Sequence, residues 1–563
     1  MLEGNRSTGH ADHRALRDWC IELQKDARLG HYIHDTSFER LRSSFFARYI
    51  ELKALPRRQR RRLLRSWMPT IGATALLMAL TAMPAQAATY NVIGFQDGPG
   101  VIIPDGVDVF ATTTLRAAIE AANLSEGVPD TINLPTGVYT LLPGNGGSLD
   151  ITDDLHINGA GMALTVIDAA AIGQRVFDIV STDVVSLNGL TLAKGYVGDG
   201  TAQGAGIRNI GADLTLTDVG VLNSRAEASA NDAYGAGIYS SGGSLLITDS
   251  LIQGNTAQAD SNSVSDGSVA SGGGIFFKAD SIDDSLTIVH STISGNTAQG
   301  GSGSISSGTG GNGLGGAIGI NGIVGTTTSI SDSTITGNTA LGGTAFVEGT
   351  GAGGGIFNRD TLKVVASTFD RNSASSYGGG IHNGGILTVT NSTLSGNSAS
   401  AGGGIENQAG TLTVTWSTFS RNDASSSGGG ISSVSGTVHL AGNLFDVGWQ
   451  GDNCVNLGTL ADNGYNLSND FTCVDGGTGS ATNASLNLGP LVDGTHWPMS
   501  PSDAIGLIPN GTTVDNNGVT LACDGTATDQ IGHARPSLDG DPCNAGAVET
   551  APIPILIFED GFE

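Results

Sequence analysis

A chain of 563 residues with 86 glycines has no Gly-X-Y period and is not a collagen; with 39% hydrophobic residues, many in short alternating runs, it is not a disordered polymer either. The first 87 residues carry 15 Lys and Arg against 8 Asp and Glu, which leaves 11 cationic against 45 acidic side chains in the rest. Such a surface repels nucleic acid and anionic lipid, and is compatible with cations or neutral glycans as partners.

Residues 1–66 read as a leader extension ending in the basic run RRQRRRLLRS. Residues 67–87 supply an apolar run and the small-residue site Ala85-Gln86-Ala87, the remaining parts of a secretory signal, so cleavage is expected after Ala87. The apolar run is shorter than the roughly 20 residues a spanning helix needs. No other segment has a span's composition, and the mature chain is expected to be a secreted monomer without a membrane anchor helix.

Residues 88–145 are expected to cap one end of the fold, with Thr113–Asn123 (TTLRAAIEAAN) as a short amphipathic helix. Residues 146–445 are a repeat. Aligned on the isoleucine after each glycine run, the units begin at Ile207, Ile238, Ile275, Ile318, Ile356, Ile381, Ile405 and Ile431. The last spacings, 25, 24 and 26 residues, give the basic unit, and the longer units carry Gly/Ser/Asp insertions just ahead of the glycines. Each unit holds three strand patterns of period two, the third ending near the asparagine. That is one turn of a parallel β-helix, and an all-β, right-handed solenoid of the pectate-lyase type is expected.

In that winding like residues stack. Asn255, Asn296, Asn338, Asn372, Asn397 and Asn422 share one position and are expected to form an inward amide ladder, with Ser224 in the first turn. A second column lies two residues after each isoleucine and includes Asn209, Asn358, Asn383 and Asn407. Four cysteines fall after residue 446; the shortest loops pair Cys454 with Cys473 and Cys523 with Cys543.

The units GGGIFN…FDRN and GGGIEN…FSRN resemble the GGAI and FxxN repeats of polymorphic outer membrane proteins. TTLRAAIEAAN is similar to the motif of CSLREA-domain proteins, with Thr113 and Ala117 departing from it. GYNLSND, LGPL and TDQIGHARP…CNAGAVE (residues 446–549) resemble the choice-of-anchor Q region. The resemblance implies a secreted or surface protein of a Gram-negative bacterium. Residues 550–563 form a linker and an acidic tail, IFEDGFE, similar to short endings of exported proteins.

For chemistry, the candidates are Asp370, His382 and Glu406. His382 and Glu406 lie one turn apart in the outward column after the isoleucine and are expected as a surface ion pair; Asp370 beside Arg371 is expected to be solvated. DSNSVSDG offers Asp260, Asn262 and Asp266 as calcium candidates, against the alternative of a flexible insertion, and no cofactor is otherwise expected. The favoured function is a non-catalytic, adhesin-like protein binding a glycan or cell surface; the alternatives are a polysaccharide lyase or glycoside hydrolase, and an inert spacer.

Overall fold

The computed structural model describes residues 87–549 apart from a few single positions; the leader and the tail lie outside the described residues. The chain is a parallel β-helix. Its first face is an eleven-stranded parallel sheet running from Leu149–Ile151 through the isoleucine strands to Cys454–Asn456. Registers align like with like, Ile356 on Ile381 on Ile405 on Ile431. The second face stacks strands such as Ile386–Thr390 and Thr411–Thr415, and the third stacks Thr368–Asp370, Thr393–Ser395 and the start of Thr418–Ser427.

Alternation explains the core. Ile405, Leu412, Val414 and Phe419 of one coil point inward and are fully buried, as are their counterparts above and below. Each such side chain contributes roughly 1.5–3 kcal/mol by leaving water. Parallel stacking continues past residue 445, with Cys454–Asn456 joining the first face and Leu467–Ser468 the third.

A helix, Leu115–Ala122, closes the N-terminal end. Thr114 is its N-cap, accepting from Ala117 N at 3.1 Å, and all its residues except Glu120 are buried against the first coils. Arg116 pins it, 2.8 Å from Asp97 and donating to the carbonyls of Gly147 and Ser148. The long sheet ends with Val109–Thr112, whose open edge is covered by the antiparallel strand Ile102–Pro104.

The structure adds a fourth short strand after the asparagine, which the repeat reading did not contain. In the long coils it leads outward, as in Thr256–Gln258, Thr297–Gln299 and Thr339–Leu341. The chain returns along a separate five-stranded sheet that includes Ala270–Ser271 and Gly313–Leu314. The two layers form a thin fin whose interior is alanine, including Ala226, Ala257, Ala270 and Ala298. Beyond it, glycine lets layers touch: a Cβ on Gly311 would lie 1.7 Å from the Ser268 carbonyl oxygen.

Residues after 484 form a C-terminal region with its own small core around Trp416, Leu521 and the Cys523–Cys543 disulfide. It folds back onto the outside of the second and third faces rather than extending the stack, with Asn516 donating to Val414 O and Thr415 Oγ1 on the second and Thr368 donating to Gly494 O on the third.

Candidate functional site

The asparagine positions form a continuous ladder. Each Nδ2 from Asn255 to Asn397 donates to Oδ1 of the next asparagine at 2.9–3.0 Å. The backbone N–H of each donates to the same oxygen, beginning with Ser224 N on Asn255. The second Nδ2 hydrogen goes to a carbonyl of the coil before, as from Asn397 to Phe369 O at 2.9 Å. All six are buried, so the ladder is scaffold. The second column gives a shorter ladder, Asn358 to Asn383 to Asn407, at 2.8 Å per step. A serine ladder runs beside them: Ser291, Ser333, Ser367 and Ser392 each accept the backbone N–H of the preceding serine at 3.1–3.2 Å. Its signal was present, in the recurring serine before each third strand.

His382 and Glu406 do meet, Nδ1 to Oε2 at 2.7 Å, but off the alignment of a hydrogen bond. They are not the surface pair expected: both are buried, at 5% and 2% exposure. The glycine bend explains the difference. Gly402, at φ +62°, folds the chain back so closely that a Cβ there would lie 2.7 Å from the Glu406 Cβ. Phe357 closes the other side, its ring stacked parallel on His382 at 5.0 Å.

Asp370 is not solvated either. It is 7% exposed, ion-paired with Arg371 at 2.7 Å, and accepts from Thr336. The hairpin of Leu488–Val492 and Thr495–Pro498 covers its column and brings in His496, which no sequence motif singles out. His496 Nε2 lies 2.8 Å from Ser395 Oγ and its Nδ1 lies 2.7 Å from Gly489 O. Since a carbonyl can only accept, Nδ1 carries the proton and Nε2 accepts from the serine. Burial, then the Arg421 charge, push the His496 pKa down against the opposing pull of Gly489 O, Asp446 and Asp370. Burial pushes Asp446 up, against its hydrogen bond from Ser420.

The same seam is held by a hydroxyl column, Thr368, Thr393 and Thr418, in direct register with one another and with Thr334 beyond the seam. Thr368 Oγ1 donates to Gly494 O at 2.8 Å, Thr393 Oγ1 donates to Gln530 Oε1 at 2.6 Å, and Ala547 N donates to Thr418 Oγ1 at 2.9 Å. Gln530 Nε2 also reaches Thr368 Oγ1 at 3.0 Å. Beside it, Arg535 lies 4.0 Å over the Trp416 ring and 3.2 Å from Glu549. Burial pushes Glu549 up to about 7 despite Arg535.

The calcium candidates serve the fin. Asn262 accepts from the N–H groups of Val264 and Ser265, and Asp266 accepts from Thr309 N. Asn262 N donates to Ser302 O of the neighbouring layer. Among the described residues no group of three His, Cys, Asp or Glu side chains is placed to hold a metal. Cys454 bonds to Cys473 and Cys523 to Cys543.

No family model and no curated protein matches the chain. Among solved structures it is similar to the ORF18 protein of Geobacillus virus E2, at 12% identity and a TM-score of 0.29, covering 86% of this chain and 82% of that one. It is also similar to the A-module of the mannuronan C-5 epimerase AlgE6 of Azotobacter vinelandii, at 14% identity and 0.29, covering 63% and 94%. The Agl-KA catalytic domain matches at 16% identity and 0.28, covering 68% and 69%. The winding defines the class: a parallel β-helix stapled by two disulfides, with no helix among the described residues long and apolar enough to cross a membrane. Disulfides of this kind belong to oxidising compartments.

Proposed function

We propose that the protein is a non-catalytic, adhesin-like β-helix exported to the surface of a Gram-negative bacterium, where its side wall binds a glycan. One observation carries the reading. Along the third and fourth strands of the long coils, Thr292 stacks on Thr334, and Thr256 on Thr297 on Thr339, with Gln258 on Gln299 beside them. These side chains are half-buried and stand at the strand spacing of about 4.8 Å. An extended polysaccharide offers hydroxyls at a comparable interval, so successive sugars can meet successive coils. The test is retention of the purified protein on a polysaccharide panel, with and without Ca²⁺. Retention without new reducing ends or unsaturated sugars is the expected result; turnover would overturn it.

A second reading, a carbohydrate-active hydrolase, has one observation behind it. Ser395, His496 and the Gly489 carbonyl form an oriented hydroxyl–imidazole pair with Asp370 and Asp446 near it. The pair is buried, Ser395 at 6% and His496 at 1% exposure, which favours a docking contact over a catalytic one. Release of product that disappears in Ser395→Ala would select this reading.

A further inference from the structure

The threonine column has two states within one molecule. Downstream, Thr368, Thr393 and Thr418 are buried by the C-terminal region. Upstream, Thr292 and Thr334 continue the same register, half-buried, their hydroxyls without a hydrogen-bonding partner among the described residues. The covered stretch therefore records what this column recognises. Every group it receives is an amide: the carboxamide of Gln530, the peptide carbonyl of Gly494 and the peptide N–H of Ala547. Gln530 is the most informative. Its oxygen takes the Thr393 hydroxyl while its nitrogen reaches Thr368, so one pendant amide spans two coils.

We propose that the open end of the column, Thr292 and Thr334 with Ser294, docks a neutral glycan carrying N-acetyl groups. This rests on the glycan-binding reading and names its ligand class. The interface is continuous with the one the C-terminal region already occupies. The three amides that fill that interface come from three separate segments, residues 494, 530 and 547, so the column reads individual amide groups and not an added strand. An acetamido group carries the same two functions, an N–H donor and a carbonyl acceptor, but as a secondary amide it presents them on opposite edges, so each group meets one threonine rather than two at once as Gln530 does. The acidic surface disfavours an anionic polymer and leaves neutral and cationic ones, which the acetylated and deacetylated oligomers below tell apart.

The experiment is titration calorimetry of the purified protein with N-acetylhexosamine oligomers, and with deacetylated and plain hexose oligomers of equal length. The comparison variant is Thr292→Val/Thr334→Val, which keeps side-chain volume at half-buried positions and is checked for an unchanged melting temperature. Acetylated oligomers should bind, the other two should not, and the double variant should weaken binding about 10–30-fold, as two lost hydrogen bonds require. Equal binding of acetylated and plain oligomers overturns the ligand class while leaving the glycan reading intact. Undiminished binding to the double variant overturns the site. A short unmodified peptide that competes as well as the acetylated oligomer overturns the choice of glycan. Absence of binding to any glycan overturns this inference and the broader reading together.

Discussion

The coil body and the fin are built from the same chain, one turn after another, yet they are held together by opposite means. In the body, large inward side chains such as Ile405 and Phe419 separate the faces, and buried asparagines bond coil to coil. In the fin, side chains are almost absent from the interior; alanines meet, and glycine segments such as that at Gly311 bond through their backbones to neighbouring layers. The body gains from apolar burial and from a ladder in which each member depends on the next. The fin gains little from burial and depends on backbone hydrogen bonding and close approach. The difference teaches that a solenoid can extend a thin wall far from its core where the sequence is small enough to let backbones touch.

Mutations should separate the two regimes. The largest effect is expected from Asn397→Ala. It removes the acceptor of two Asn372 N–H groups and the donor to Phe369 O, costing roughly 3–5 kcal/mol, measured by urea unfolding. Gly311→Ala should cost about 1–3 kcal/mol, because its Cβ would meet the Ser268 backbone carbonyl, which yields only if the neighbouring layer shifts. Hydrogen exchange should show fast exchange confined to the fin; loss of protection throughout the coils would mean that the two regions are one cooperative unit.

Acidity should act on the C-terminal region in two directions. Glu549, raised to about 7 from 4.5, takes up its proton earlier when docked, so docking strengthens as pH falls from about 7 toward 4.5. His496, lowered from 6.5, resists its proton when docked, so docking weakens as pH falls below 6.5. His496 faces Arg421, Asp446 and Asp370, while Glu549 faces Arg535 and Asp529. Limited proteolysis between pH 7.5 and 5 should show His496→Gln gaining protection steadily and Glu549→Gln losing it. The smallest effect is expected at the fin tip: Val264, Ile305 and Phe346 are 82%, 84% and 69% exposed. Their replacement by serine should change stability by less than about 0.5 kcal/mol.

What could be read from the chain was whatever repeats. The isoleucine period near two dozen residues fixed the winding, and equal positions of Asn255 through Asn422 implied their ladder. The adjacency of His382 and Glu406 followed from the same register, but their burial did not, because it depends on how the Gly402 bend folds back. The return layer of the fin is built of two-residue strands such as Ala233–Tyr234 and Gly313–Leu314, too short to show an alternation. Gln530 meets Thr368 and Thr393 from more than 130 residues away, a contact that no local spacing encodes.

The amide ladder also has a direction. Every side-chain step runs from an earlier coil to a later one, so the leading turn always holds donors that only the following turn can satisfy. A chain emerging N-terminus first thus meets its partners in the order in which they are made. In that order each finished turn would offer the next a row of waiting donors, like a zipper drawn from one end.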